Sequence, residues 1–332
     1  MFCAYCGTDH DKVVVFSNED VVPYAIGGTR KFTIRVCEKS NNDLGGLADK
    51  PFIESFFVGW KRFSLGLCGT DGTQPTFDLS GNSTISGEDV QLKYIIGPGD
   101  KKLLTVLPRV TEIVTDDGLR RRLSGDPATV RRILIEMLSG AHAKGKRVRT
   151  PDGVILNESN LDAFLASGDL ETTNPGIVKI IAFDKLEYVR FFAKLALATG
   201  HYIFGENFSR SARAEILRRV MFAKNPSEAV LGGARIRPDI GEAEGKAAFG
   251  PFRKRDTHVL GILCRRPTVV IVSLFGDIEG VIALGEVNDP SLSNGGRILQ
   301  IDLPSREFHD FKLDDYLMMQ MANRVPETRS KG

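Results

Sequence analysis

The chain has little that would hold it in a membrane. No stretch approaches eighteen uninterrupted apolar residues, which excludes a membrane-spanning helix. The opening MFCAYCGTDHD has neither the basic start nor the apolar run of a secretory signal, so the expected compartment is the cytoplasm. Cysteine is scarce and odd in number, five in 332 residues, which argues against a disulfide framework. Net charge is scarce too, and +2 overall excludes a strong global pull towards nucleic acid, so any such binding has to rest on local patches. No GxSxG, HExxH or P-loop is present, the glycines of LGGARIRPDIGEAEG form no dinucleotide fingerprint, and there is no internal repeat.

What is present is ordinary globular composition, 42% hydrophobic and 26% charged, in a chain long enough for two domains with real cores. Three of the five cysteines, Cys3, Cys6 and Cys37, fall in the first 37 residues, and that clustering points to a metal. Cys68 and Cys264 stand alone and read as small buried hydrophobes.

Residues 1–62 read as a small module. VVVF at 13–16 and FTIRV at 32–36 are strand candidates, separated by SNEDVVPYAIGG, whose Gly27-Gly28 marks a turn. A helix follows, with Ser40 as N-cap, Asp43 in its first turn, apolar positions at Leu44, Leu47, Phe52, Phe56 and Phe57, and a kink at Pro51. Trp60 and the phenylalanines around it read as core. At this size such a module needs a metal staple to hold a core.

Residues 63–90 read as linker and 323–332 as a frayed end, leaving 91–322 as a larger α+β domain with an antiparallel sheet. In it LKYIIG (92–97), TVLPRVTEIVT (105–115) and GIVKIIAF (176–183) are strand candidates, Pro108 marking an edge, bulge or turn. A helix starts at Asp126-Pro127, another at Asp184 with Glu187 as its capping partner and Tyr188, Phe191, Phe192 and Leu195 as its buried stripe, and a third covers 209–223. VLGILC, TVVIVSLF, GVIALGE and RILQIDL then suggest an antiparallel meander.

Two cysteines separated by two residues and a third 31 residues on fit a tetrahedral zinc site lacking one ligand. The slot that would complete a second Cys-x2-Cys holds Ser40, a poor ligand. His10 can substitute, giving Cys3, Cys6, His10 and Cys37; the alternative is a vestigial site held by packing. Basic residues gather at 101–150, twelve Lys and Arg against five Asp and Glu, including the run KGKRVR at 144–149. Arg213, Arg218, Arg219, Arg253, Lys254 and Arg255 are further candidates for phosphate contact. His142, His201, His258 and His309 form no ligand spacing and read as surface or core residues.

The order Cys3-x2-Cys6, then Glu19-Asp20-Val21-Val22-Pro23 with Ala25-Ile26-Gly27-Gly28, then Cys37-x2-Ser40-Asn41-Asn42-x-Leu44-Gly45 resembles the zinc-knuckle subgroup of the HNH endonucleases. The ββα-metal core of that family reads C-x2-C, E-H-x-x-P, G-G, C-x2-C-N-x-x-x-G. The likeness covers about the first 60 residues, and a looser one continues through 187–205. It implies a metal-dependent endonuclease acting on nucleic acid, DNA before RNA, with structural Zn2+ and catalytic Mg2+ or another divalent ion. Phosphodiester hydrolysis needs an ion to neutralise the scissile phosphate and a general base to activate water.

Carried over from the family, Glu19 is the metal ligand and Asn41 the helix asparagine; Asn42 or Asp49 is a further ligand candidate, since positions 42 and 49 fall on one helical face about two turns apart. Asp20 stands where the family has its base histidine. A carboxylate with a pKa of about 3.9 is a weak base at neutral pH, and loss of a matched base forfeits roughly 10²- to 10⁴-fold in rate. Asp20 could otherwise join Glu19 as a second ligand. The alternative function is a catalytically silent HNH-like module that binds nucleic acid or a partner protein.

Overall fold

The computed structural model describes residues 1–73, 75–85, 88–97, 102–107, 109–115, 118–125, 127–150, 152–166, 184–225, 227–228, 234–236, 249–286 and 295–322. The fold is α+β, and every strand pairing among these residues is antiparallel. The chain forms two units, one made of Met1–Pro75 with Phe183–Gly332 and the other of Thr76–Ala182. The first 62 residues therefore do not stand apart from the C-terminal sheet, as the sequence suggested.

The chain begins with the Cys3–Cys6 turn and continues into β1 (Phe16–Asp20) and β2 (Thr33–Cys37), paired from Phe16↔Cys37 to Asp20↔Thr33. The first strand expected at 13–16 is thus displaced towards the acidic pair. Cys37 is where the chain leaves β2 for a helix, so residues before Phe16 have no strand to pair with, and Val13 and Val15 are exposed. The helix α1 (Glu38–Leu44) has Cys37, not Ser40, at its N-cap. A single π-helical turn at Gly45–Asp49 leads to α2 (Lys50–Glu54), and α3 (Phe56–Ser64) follows. That turn adds a residue to the helical repeat, so Asn42 and Asp49 do not share a face as their spacing suggested: Asn42 is exposed and Asp49 buried. Trp60 and Phe57 are also substantially exposed, so α3 turns part of its aromatic face away from this core.

The second unit holds β3 (Phe77–Ile85), β4 (Glu88–Ile96) and β5 (Lys102–Leu107) in one sheet and the hairpin of β6 (Arg109–Thr115) and β7 (Gly118–Ser124) in another. Part of the expected linker is therefore strand. Among the described residues the unit also holds the helices α4 (Pro127–Ala143) and α5 (Glu158–Ala166), packed through Leu134 and Leu161. The strand expected at 176–183 lies outside the described residues.

Back in the first unit, α6 (Lys185–Ser209) starts where Asp184 accepts a 2.8 Å hydrogen bond from the Leu186 amide. Ser211 caps α7 (Ala212–Met221) in the same way. The sheet then runs in the order β13-β12-β9-β10-β11-β8, with β8 (Ala234–Ile236), β9 (Thr257–Leu263), β10 (Thr268–Leu274), β11 (Ile278–Gly285), β12 (Gly296–Asp302) and β13 (Glu307–Lys312). It is not a simple meander, because β12 returns to pair with β9. This leaves β9, buried along its whole length, at the centre. A last helix, α8 (Leu313–Ala322), packs Tyr316 beneath it against Phe252.

One continuous apolar core runs from the β1–β2 hairpin through α2 and α6 to the large sheet. Phe52 of α2 stacks on Phe191 of α6 with ring centres 3.7 Å apart, and burial of each ring contributes about 2 kcal/mol. The stripe Tyr188, Phe191, Phe192 and Leu195 expected from the sequence is buried here.

Candidate metal centre and buried charge cluster

The N-terminal turn is built by its own backbone. The Gly7 amide donates to Cys3 O at 2.9 Å and the Cys3 amide to Thr8 O at 3.0 Å, and Gly7 takes φ +72° to close the loop. These bonds point the Cys3 and Cys6 side chains towards the end of β2, where Cys37 stands. His10 follows on the returning strand, and the ligand atoms of Cys3, Cys6, His10 and Cys37 all lie within 4.8 Å of one another.

Two thiolates about 2.3 Å from a tetrahedral ion stand roughly 3.8 Å apart. Cys6 Sγ and Cys37 Sγ are 4.0 Å apart, and Cys6 Sγ lies 3.1 Å from His10 Nε2. Three sulfurs and one imidazole nitrogen in this arrangement fit a structural zinc ion. Ser40 stands beside the four, its Oγ 3.1 Å from Cys37 Sγ and accepting from that thiol. Burial raises the Cys37 thiol, but the Ser40 side chain and backbone together with Cys3 and Cys6 outweigh it and bring it below its ordinary value, whereas burial pushes Cys3 up to about 11.

Helices α6 and α7 hold this knuckle from outside. Arg218 Nε donates to Ala4 O at 2.9 Å, and its guanidinium fills the space a Gly7 side chain would need. Arg210 at the end of α6 forms two bonds to Asp9, 2.7 and 2.6 Å, with its guanidinium 4.0 Å above the Phe2 ring.

The hairpin register separates the two acidic residues. Ser17 and Glu19 pair with Val36 and Ile34, the inward residues of β2, while Asn18 and Asp20 pair with Arg35 and Thr33 on the other face. Adjacent strand residues project to opposite sides, so Asp20 does not join Glu19 as a ligand to a shared ion.

Glu19 meets a residue the sequence reading did not single out. Lys194 of α6 is fully buried, its Nζ 2.5 Å from Glu19 Oε1 and hydrogen-bonded also to Asp49 Oδ2, and 5.7 Å from the centre of the Tyr5 ring. Two carboxylates share one ammonium. Burial raises both carboxyl groups above their usual range against the pull of Lys194. For Lys194 burial works against the charge, but Asp49 and Glu19 outweigh it and keep the ammonium protonated. Two polar atoms near this cluster, Tyr5 Oη and Asp49 Oδ1, are buried without a hydrogen-bond partner. The only sequence signal for Lys194 is an ionisable residue inside the apolar run FFAKLALATG.

Glu19 and Asp49, both expected as ligands of an ion, come together around an ammonium instead. Asn41 does not join them; its Nδ2 donates to Ser17 Oγ at 3.1 Å, one step back along the inward face of β1. Asp20 is half-buried; burial raises its carboxyl, and Arg30, Lys194 and Arg306 oppose that. Among the cations named as phosphate contacts, Arg213 is taken up by Ala283 O, Arg218 by Ala4 O and Arg253 by the buried Glu279, while Arg219 and Lys254 stay exposed in surface ion pairs with Glu215 and Asp302. His258 is a core residue, donating from Nε2 to Ile26 O at 2.7 Å and accepting from the Phe275 amide.

No family model matches the chain, and no curated protein or solved structure matches it either.

Proposed function

We propose that the N-terminal part of this protein is an HNH-type ββα module that binds nucleic acid without hydrolysing it, with zinc as a staple and Lys194 in the place of the catalytic ion. The observation that carries this reading is the Lys194 ammonium between Glu19, the carboxylate that the resemblance assigns to the ion, and Asp49, a further ligand candidate from its spacing. A resident cation already offsets their charge, and Asp20, which stands where the family has its base, lies on the opposite face from Glu19. Cys3, Cys6, His10 and Cys37 would hold zinc, which fixes the hairpin to α1 and supplies no chemistry of its own. Within the first unit, nucleic acid would meet the exposed cations Arg30, Lys31 and Arg35 around β2.

A second reading, an active phosphodiester hydrolase, has its own observation. Asp49 Oδ1 is buried without a hydrogen-bond partner beside the Glu19 carboxylate, an acceptor for a divalent ion that displaces the Lys194 ammonium.

Purified full-length protein incubated with supercoiled DNA, linear DNA and RNA in Mg2+, Mn2+ or Ni2+ separates the two. Salt-sensitive binding with no cutting is the expected result. Cleavage that disappears in Glu19→Ala establishes the hydrolase instead. Asp20→His adds a further test: a large gain in cleavage would show that position 20 serves as the base despite its face.

A further inference from the structure

The hairpin of β12 and β13 places four polar side chains in a two-by-two square. Gln300 pairs with His309 and Asp302 with Glu307, and since residues two apart on a strand share a face, all four lie on the same side of the sheet. The ligand atoms of Asp302, Glu307 and His309 lie within 4.8 Å of one another. His309 Nε2 is 3.2 Å from Asp302 Oδ2. Two ligands about 2.1 Å from one ion stand roughly 3.0 Å apart at a right angle and 3.4 Å at the tetrahedral angle, so this pair already has a chelating separation.

The square also has a buried support. Gln300 is 4% exposed, and its Nε2 donates to Asp302 Oδ1 at 2.6 Å, which fixes that carboxylate with Oδ2 turned towards His309. The other amide atom, Oε1, is buried without a hydrogen-bond partner. An amide that turns end for end could offer that oxygen to a cation beside Asp302. His309 is held from its other side by Phe311, with the rings nearly parallel and 5.7 Å apart. The nearest competing cation is Lys254, whose Nζ lies 3.7 Å from Asp302 Oδ1, the oxygen not facing His309.

We propose that Asp302, Glu307 and His309 form a second metal site, on the surface of the large sheet, that takes a divalent first-row transition ion. The donors are two carboxylates and one imidazole with no sulfur, a harder set than the cysteine cluster at the N-terminus, so the two sites select different ions. Manganese suits the oxygen-rich square and not the thiolates; zinc suits the thiolates. This site is independent of the nucleic-acid reading and stands or falls separately from it.

The probe is Mn2+, titrated into zinc-loaded full-length protein and followed by the loss of the free-ion electron paramagnetic resonance signal. The expected result is one saturable Mn2+ per chain, weakened about tenfold or more by His309→Ala and by Glu307→Gln, with zinc content unchanged. Lys254→Met should tighten binding by removing the competing charge. Glu307 is exposed, so Glu307→Gln keeps the test intact if His309→Ala disturbs the hairpin, with circular dichroism as the control for folding. Absence of saturable Mn2+ binding in the unaltered protein, or binding unaffected by both substitutions, overturns the proposal.

Discussion

Lys194 Nζ lies 2.5 Å from Glu19 Oε1, joining the middle of α6 to the end of β1 across 175 positions of sequence. The same ammonium bonds Asp49, so one buried charge ties together the hairpin, the helical segment after it and the helix that packs on the large sheet. Removing it strands two carboxylates. Lys194→Met is expected to lower stability by about 3 to 5 kcal/mol in urea unfolding. The triple variant Lys194→Met, Glu19→Gln, Asp49→Asn should recover much of that loss, because it buries no uncompensated charge. A triple variant as unstable as the sum of the single changes would show that the three do not act as a unit.

The cysteine cluster should bind one zinc per chain. Zinc binding in such sites contributes folding free energy on the order of 10 kcal/mol. Chelation, or His10→Ala, is therefore expected to raise hydrogen exchange at the Cys3, Gly7 and Cys37 amides while β9 and β10 stay protected. Full zinc content retained in His10→Ala would remove His10 as the fourth ligand.

His258 predicts an acid limb of stability. Burial is the main cause that lowers it to about 4, with the Ile26 carbonyl pulling the other way and Arg306 adding to the depression. The unfolded chain takes up this proton at about pH 6.5 and the folded chain does not, so stability falls as pH drops from 6.5 towards 4, by about 3 kcal/mol. His258→Gln should flatten that part of a stability–pH profile measured by urea unfolding at stepped pH. An unchanged slope would assign the titration to other groups.

The double glycine after Pro23 is a packing requirement. A Cβ on Gly28 would sit 1.6 Å from Val22 O, and Gly27 holds φ +100° with Leu303 pressed against it. Gly28→Ala is expected to cost about 3 kcal/mol or more, since backbone and not a flexible side chain would have to move. Thermal unfolding of Gly28→Ala beside Gly45→Ala, where a Cβ meets nothing within 4 Å, checks this. Equal losses in the two would refute it.

Much of the local chemistry was legible in the sequence. Cysteine spacing pointed to three metal-ligand candidates, His10 offered a nitrogen to complete them, and the four converge into a cluster that could hold an ion such as zinc. Asp184 was readable as a cap because capping is decided within one turn. The strand start was not readable, because Val13 to Phe16 has strong strand propensity and only the position of Cys37 on the partner strand decides where pairing begins.

The sequence by itself determined the Cys3, Cys6, His10 and Cys37 set, the α+β character and the Asp184 cap, all readable from residue type, spacing and local pattern. The tertiary structure decided that Asp20 and Glu19 face opposite ways and that Lys194, not a further acid, lies between Glu19 and Asp49. The reason is physical in both cases. A strand alternates its side chains, so register fixes what each one meets. A lysine inside an apolar helix can be buried only where opposite charges arrive from elsewhere in the fold.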